Sequence, residues 1–124
     1  MKGVEIQSLE MIGQNGFGKT MKIDLNQKAE GLLAYRKAGS VSGRHFHKGQ
    51  SAGKSPEKLA LVSGVARLKC HNLTTREHEE YHLRSPLMVQ ISPMVWHELT
   101  ALTDIVFVEM NSIEEHAQDT FREL

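Results

Sequence analysis

Apolar and polar residues alternate over short stretches along most of this chain. A period of two puts every second side chain on the same face of a strand, so these stretches predict short strands and not helices. Residues that favour turns, such as Gly64, separate them. The predicted strands are residues 30–38, 57–63, 65–70, 78–83, 86–91 and 104–110. The last of these is apolar on both faces, which predicts a central strand.

The predicted elements favour an all-β fold. Many short strands with turns between them are typical of an antiparallel β-sandwich or barrel. At 124 residues we expect a single domain over residues 1–124, with a barrel core over about residues 30–110. Ser112 to Glu115 fits a capping box, which predicts a short C-terminal helix over about residues 113–123. We expect this helix only to pack against the core.

Residues 13–20 satisfy the written pattern of a phosphate-binding P-loop. In that motif Lys19 would contact phosphates and Thr20 a magnesium ion, and a helix would follow. Residues 21–25 alternate at period two instead. We therefore predict a glycine-rich hairpin turn between two strands.

Charge and composition narrow the classes of function. Lys plus Arg and Asp plus Glu number 15 each, so the net charge is zero and the basic footprint of a nucleic-acid or membrane-surface binder is missing. No apolar run is long enough to span a membrane and no signal-peptide pattern is present, so we expect a cytoplasmic protein. The lone Cys70 excludes an intramolecular disulfide. Seven histidines indicate a site for a metal or a small molecule.

The histidines with informative spacing are His45 and His47. In a strand they face the same side and can enter one cavity. Glu57 is in phase with Leu59 on the inward face of the next predicted strand, and His97 follows a proline-containing turn. Three imidazoles and one carboxylate form a suitable ligand set for a divalent metal such as Zn, Fe, Mn or Ni.

These residues resemble the motifs of the cupin superfamily. The positions that match its first motif are Gly39, His45, His47, Glu57 and Gly64. The second motif matches mainly at Pro93 and His97, and nine residues separate His47 from Glu57, more than is usual in that family. The resemblance implies a jelly-roll barrel and a homodimer. If a metal is bound, the ligands that it implies are His45, His47, Glu57 and His97.

Segments 43–48 and 92–99 carry a narrower resemblance, to small cupins that isomerise or epimerise sugar nucleotides in polysaccharide biosynthesis. It implies histidine-mediated proton transfer on a nucleotide-linked keto sugar, commonly without a metal. The catalytic residues that it implies are His45, His47 and Tyr35. The substrate contacts are Arg44 near the phosphates, His97 and Trp96, although Trp96 has the opposite strand parity from His97.

Three functions remain open at this point. The first is the metal-free isomerase or epimerase, and the second is a metal-dependent cupin such as an oxygenase. These two compete, because a metal bound to His45 and His47 would stop both rings from acting as free bases. The third is a non-catalytic small-molecule-binding module on the same scaffold.

His78 and His82 share one strand face with Glu80, which leaves a second metal site as the alternative to a solvated, charged edge. No pattern assigns His71 or His116 to a site. The histidines interpreted as incidental are His71, His78, His82 and His116. Residues 48–56 are rich in Gly, Ser and Pro, which predicts a flexible loop. We expect Lys48 and Lys54 in this loop to be solvent-exposed, with phosphate contact as the alternative.

Overall fold

The computed structural model describes residues 1–15, 18–22, 31–51 and 54–122 of the chain. These residues form short strands and one short helix, which confirms the all-β prediction. The elements are β1 Val4–Ser8, β2 Glu10–Asn15, β3 Gly18–Lys22, β4 Leu32–Arg36, β5 Val41–His45, β6 Glu57–Ser63, β7 Val65–Asn72, β8 His78–Arg84, β9 Leu87–Ile91, β10 Val95–Ala101, β11 Ile105–Glu109 and α1 Ile113–Gln118.

The strands pair into antiparallel sheets. A five-stranded sheet has the order β1-β9-β6-β11-β4, a four-stranded sheet has the order β5-β10-β7-β8, and β2 pairs with β3. The buried core takes Leu61 and Phe107 from the first sheet and Leu68 and Leu99 from the second. The two larger sheets therefore form a sandwich with the main core between them.

The hairpin of β6 and β7 forms where the alternation and Gly64 predict it. Gly64 has φ +96°, and a Cβ built there would lie 2.2 Å from the carbonyl oxygen of Asp104. Only glycine has both the conformational freedom and the room for this turn. β11 lies between β6 and β4, so the predicted central strand is also confirmed.

β10 is absent from the predicted strands, although it lies between β5 and β7. Its residues alternate regularly between buried and half-buried positions. The inward set includes His97, which interrupts the apolar pattern that marks the other strands. A buried histidine among the inward residues therefore concealed a central strand from the sequence pattern.

The P-loop pattern is part of a hairpin. β2 pairs antiparallel with β3, which begins at Gly18, so Lys19 and Thr20 lie on a strand and not at the start of a helix. The predicted turn at residues 16–17 and the alternating residues 23–25 lie outside the described residues.

The helix α1 begins at the predicted capping box. The Ser112 hydroxyl accepts from the Glu115 backbone N–H at 3.0 Å, and the Glu115 carboxylate accepts from the Ser112 N–H at 3.0 Å. This arrangement satisfies two backbone donors that a helix start otherwise leaves unpaired. In the part of the chain that the structure describes, no helix is long and apolar enough to cross a membrane.

The helix is shorter than the predicted 113–123 and ends at Gln118. Asp119 leaves the helical conformation at φ −124° and ψ 53°. Beyond it, Phe121 forms an antiparallel bridge with Phe46, with N–O distances of 2.8 and 2.9 Å. Tertiary pairing with the segment that carries the histidines therefore replaces the last predicted turns of the helix.

Candidate functional site

A bulge in β5 sets the direction of His45. In the pairing of β5 with β10, His45 lies opposite His97 and Gly43 opposite Glu98, so Arg44 is the extra residue. Gly43 has φ +84°, and a Cβ there would lie 2.9 Å from the carbonyl oxygen of His97. Bulges re-aim side chains in this way. His45 faces the interior and is 6% exposed.

Both sheets contribute to a cluster around Glu57. Glu57 starts β6 and His97 lies on β10, and both are buried, as is His47 just after β5. The carboxylate oxygen Oε2 of Glu57 lies 2.7 Å from Nε2 of His47 and 3.3 Å from Nε2 of His97. The His45 ring centroid lies 4.8 Å from that of His47.

Backbone carbonyls fix the tautomers of two of these rings. Nδ1 of His47 lies 2.5 Å from the carbonyl oxygen of Asp119, and Nδ1 of His97 lies 3.0 Å from that of Val95. A carbonyl oxygen only accepts, so each Nδ1 carries the hydrogen and donates it. In the neutral rings, Nε2 is then an acceptor that faces the Glu57 carboxylate.

Acceptor atoms therefore converge at the centre of the cluster. Nε2 of His47, Oε2 of Glu57 and Nδ1 of His45 are buried and make no hydrogen bond with any described residue. One ligand atom from each of these residues and from His97 lies within 4.8 Å of the others. Such a set of lone pairs is stabilised by added protons or by a cation.

Burial and the charges of neighbouring groups shift the pKa values of the cluster residues in different directions. Burial alone would raise the pKa of Glu57, but His97 and His47 hold it well below its usual value. Burial opposes the charged form of His97, yet the Glu57 carboxylate outweighs it and raises the pKa of His97. Burial, followed by repulsion from His97, lowers the pKa of His45 to about 2. His45 is therefore a neutral base at physiological pH.

A cavity of ≈ 370 Å³ adjoins the cluster at His45. The polar and charged residues that line it are Arg36, Ser42, His45, Glu109, His116 and Arg122. The Arg36 side chain donates from Nε to the Ser42 hydroxyl at 3.1 Å, and Arg122 donates from Nη1 to the Gly43 carbonyl at 3.1 Å. Two cations and a neutral imidazole thus share one cavity wall.

Three residues predicted from the resemblance are not brought to this cavity. Tyr35 is 69% exposed and has the opposite strand parity from Ala34, which packs on the core. Arg44 turns outward at the bulge and pairs with Glu98 at 2.7 Å. Trp96 alternates with the buried residues of β10, so it lies on the outer face of the four-stranded sheet.

Lys54 is fully buried, so the expected solvent exposure is wrong. Its Nζ lies 3.3 Å from Oε1 of Glu57, 3.0 Å from Oδ1 of Asn111 and 3.2 Å from Nδ1 of His116. Glu109 is a more distant partner at 3.9 Å. The long loop between His47 and Glu57 therefore places the buried Lys54 ammonium next to the Glu57 carboxylate, and its positive charge compensates the buried negative charge.

The helix α1 does more than pack against the core. The buried Asp119 carboxylate at its end accepts from the backbone N–H groups of Lys48 at 2.8 Å and Ser51 at 3.2 Å. Its carbonyl oxygen accepts from His47. The segment after the helix therefore fixes both the loop and one ring of the cluster.

Sequence reasoning missed His116, which it interpreted as incidental. The His116 ring lies on α1, with its centroid 5.6 Å from that of His45. The other histidines of that group, His71, His78 and His82, lie on β7 and β8. Arg36 was also missed, and strand parity gives the signal for it, because Arg36 is two residues from the inward-facing Ala34. His116 and Arg122 have no such signal, since α1 and the segment after it are positioned by tertiary contacts.

Comparison with solved structures identifies the fold. No family model matches the chain, and no curated protein matches it. The sugar 3,4-ketoisomerase QdtA of Thermoanaerobacterium thermosaccharolyticum, in complex with TDP, is 17% identical with a TM-score of 0.75, over 99% of this chain and 90% of that chain. A QdtA mutant is known in complex with TDP-4-keto-6-deoxyglucose.

Two further structures have the same architecture. The TDP-quinovose 3,4-ketoisomerase WlaRB of Campylobacter jejuni is 17% identical, with a TM-score of 0.76 over 99% of this chain and 95% of that chain. The dTDP-4-dehydrorhamnose 3,5-epimerase of Sulfolobus tokodaii is 12% identical, with a TM-score of 0.68 over 89% of this chain and 70% of that chain. These likenesses show the fold, and the predicted cupin-type jelly roll is confirmed.

Proposed function

We propose that this protein is an isomerase or epimerase that moves a proton on a nucleotide-linked keto sugar. The observation that carries the proposal is the cavity wall, which the neutral His45 lines together with Arg36 and Arg122. This substrate class needs a base for a carbon-bound proton and cations for a diphosphate. The likeness in fold to sugar-nucleotide ketoisomerases and epimerases supports the same assignment.

The chemistry needs a proton to be removed from one carbon and a proton to be returned to carbon. His45 takes the proton from the carbon beside the ketone; the electron pair of the broken C–H bond forms a C=C bond, and the π pair of the C=O bond moves onto the carbonyl oxygen to give an enolate. The Glu57 carboxylate stabilises the imidazolium that forms, since its charge favours a protonated His45. Protonation of the former carbonyl carbon, with the hydroxyl proton of the first carbon passing to the enolate oxygen, gives the isomeric ketone. Protonation of the first carbon from the opposite face, by an acid other than His45, gives an epimer.

The test is solvent deuterium exchange by the purified chain. With TDP-4-keto-6-deoxyglucose in D₂O, we expect deuterium at a carbon beside the ketone, detected by NMR and mass spectrometry. Neither exchange nor binding across a panel of nucleotide-linked keto sugars would refute the proposal. Binding without exchange would support the non-catalytic binding module instead.

The two cavity arginines are expected to act on substrate affinity. Replacing Arg36 or Arg122 by glutamine removes a charge-assisted contact to a phosphate, so KM should rise about tenfold in each variant while kcat changes little. The matched control is Arg44→Gln, because Arg44 pairs with Glu98 outside the cavity. An equal KM in all three variants and the unmodified protein would show that the diphosphate binds elsewhere.

A second candidate function is that of a metal-dependent cupin. The convergent acceptors of the cluster favour it, because a divalent cation would satisfy the buried lone pairs that lack hydrogen-bond partners. The residues that would hold the ion are His45, His47, Glu57 and His97. A bound metal would supply a Lewis acid that polarises a substrate oxygen.

Metal content separates the two candidates. If the cluster is a metal centre, one equivalent of Zn, Fe, Mn or Ni remains after purification, and His97→Ala and Glu57→Ala each weaken binding by at least tenfold. His82→Ala, a change of an exposed histidine on β8, should leave the metal content unchanged. Substoichiometric metal that is the same in all variants would exclude the metal-dependent function.

A further inference from the structure

His116 occupies the cavity wall next to His45 but does not belong to the four-residue cluster. Its side chain is 31% exposed, and its ring meets that of His45 edge-on at an interplanar angle of 71°. His116 lines the same cavity as the two arginines. It is therefore within reach of a ligand that His45 also touches.

The ammonium group of Lys54 lies behind His116. An ammonium has three N–H donors and no acceptor. Within the described part of the chain, three acceptors lie within 3.3 Å of Nζ: the Glu57 carboxylate, the Asn111 amide oxygen and Nδ1 of His116. The Asn111 amide orientation is fixed independently, because its Nδ2 donates to the Ser112 carbonyl at 3.1 Å. Each donor of Lys54 therefore has one partner.

This arrangement fixes the tautomer of His116. Since Lys54 only donates, Nδ1 of His116 accepts, and the hydrogen of the neutral ring is on Nε2. Glu109 lies 3.8 Å from the same Nδ1, too far to hold a hydrogen there.

The position of α1 is fixed from both ends of the helix. The capping box holds its first turn, and the Asp119 carboxylate binds the loop at Lys48 and Ser51. The His116 ring is thus presented to the cavity by a segment with defined contacts. Preorganised donors of this kind stabilise developing charge without reorganisation during the reaction.

We propose that His116 is a further catalytic residue, which donates its Nε2–H to the carbonyl oxygen of the keto sugar while His45 takes the neighbouring proton. This inference rests on the proposed function. The neutral imidazole stabilises the negative charge that develops on the oxygen, because its N–H stays hydrogen-bonded to that oxygen throughout the reaction. Lys54 is a positioning residue, because it acts through the His116 ring.

Turnover of two His116 variants tests the role in catalysis. His116→Leu removes the donor, so kcat for deuterium exchange should fall about 100-fold with KM within about threefold. His116→Gln keeps an N–H near the position of Nε2 and should recover at least tenfold of that loss. His82→Leu is the matched control. Equal kcat in His116→Leu and the unmodified protein would overturn the inference.

A measurement that needs no turnover tests the tautomer. Side-chain ¹⁵N NMR of the full chain should show Nε2 protonated and Nδ1 unprotonated in His116, and Lys54→Met should shift this ring toward a mixture of tautomers. A ring protonated on Nδ1 in the unmodified protein would overturn the inference. If the unmodified protein shows the expected tautomer but no exchange with any keto sugar, the proposed function fails instead, and the assigned substrate oxygen fails with it.

Discussion

Glu57→Leu is expected to destabilise the protein by about 3–5 kcal/mol, the usual cost when one partner of a buried charge pair is removed. Lys54 is 0% exposed and, among the residues that the structure describes, keeps only Glu109 as a negatively charged partner, at 3.9 Å. Burial raises the pKa of Glu109 whether or not Glu57 is present, so this more distant carboxyl is a weak substitute. Urea unfolding followed by circular dichroism, with EDTA present, measures the loss.

Lys54→Met should cost less than Glu57→Leu. When Lys54 is removed, Glu57 still faces His97, whose pKa the carboxylate raises and which therefore supplies a compensating proton. The double variant should be more stable than Glu57→Leu alone, because no uncompensated charge remains buried. Glu80→Gln changes an exposed carboxylate and should shift stability by less than about 0.5 kcal/mol. Strictly additive losses in the double variant would contradict this account of the network.

Local patterns were sufficient to predict much of the fold. The alternation through β6 and β7, with Gly64 between them, depends on side-chain parity and one turn, and both act over a few residues. The capping box at Ser112 is equally local. The all-β class therefore followed from the sequence. The end of α1 depended instead on the pairing of Phe121 with Phe46, a residue far away in the chain.

The candidate site was predictable in part, for the same reason. Strand phase and motif spacing selected His45, His47 and Glu57, which the structure brings together in spite of the long loop between them. Tyr35 was selected by resemblance alone, and its strand parity turns it outward. The partners of Lys54 are up to 62 residues away, so no short pattern distinguishes this buried lysine from a solvated one. Tertiary contacts therefore determine which charged groups surround Lys54.

His45→Gln is expected to have the largest effect on activity, a loss of about 10²–10⁴-fold in kcat for deuterium exchange. Glutamine occupies a similar volume but cannot take a proton from carbon. Affinity for TDP should stay within about threefold, because Arg36 and Arg122 are unchanged. Isothermal titration calorimetry with TDP provides this control. If nucleotide binding is lost together with activity, His45 maintains the structure of the cavity and does not act as the base.

The pH profile of the unmodified protein gives independent information on the same residue. A free histidine loses its proton near pH 6.5 and would give kcat/KM an acidic limb at that pH. Because burial and His97 lower the pKa of His45 to about 2, its base form persists as the pH falls. The limb due to this base should therefore lie well below pH 6.5. An acidic limb near pH 6.5 would contradict the assignment of the base to a His45 with a lowered pKa.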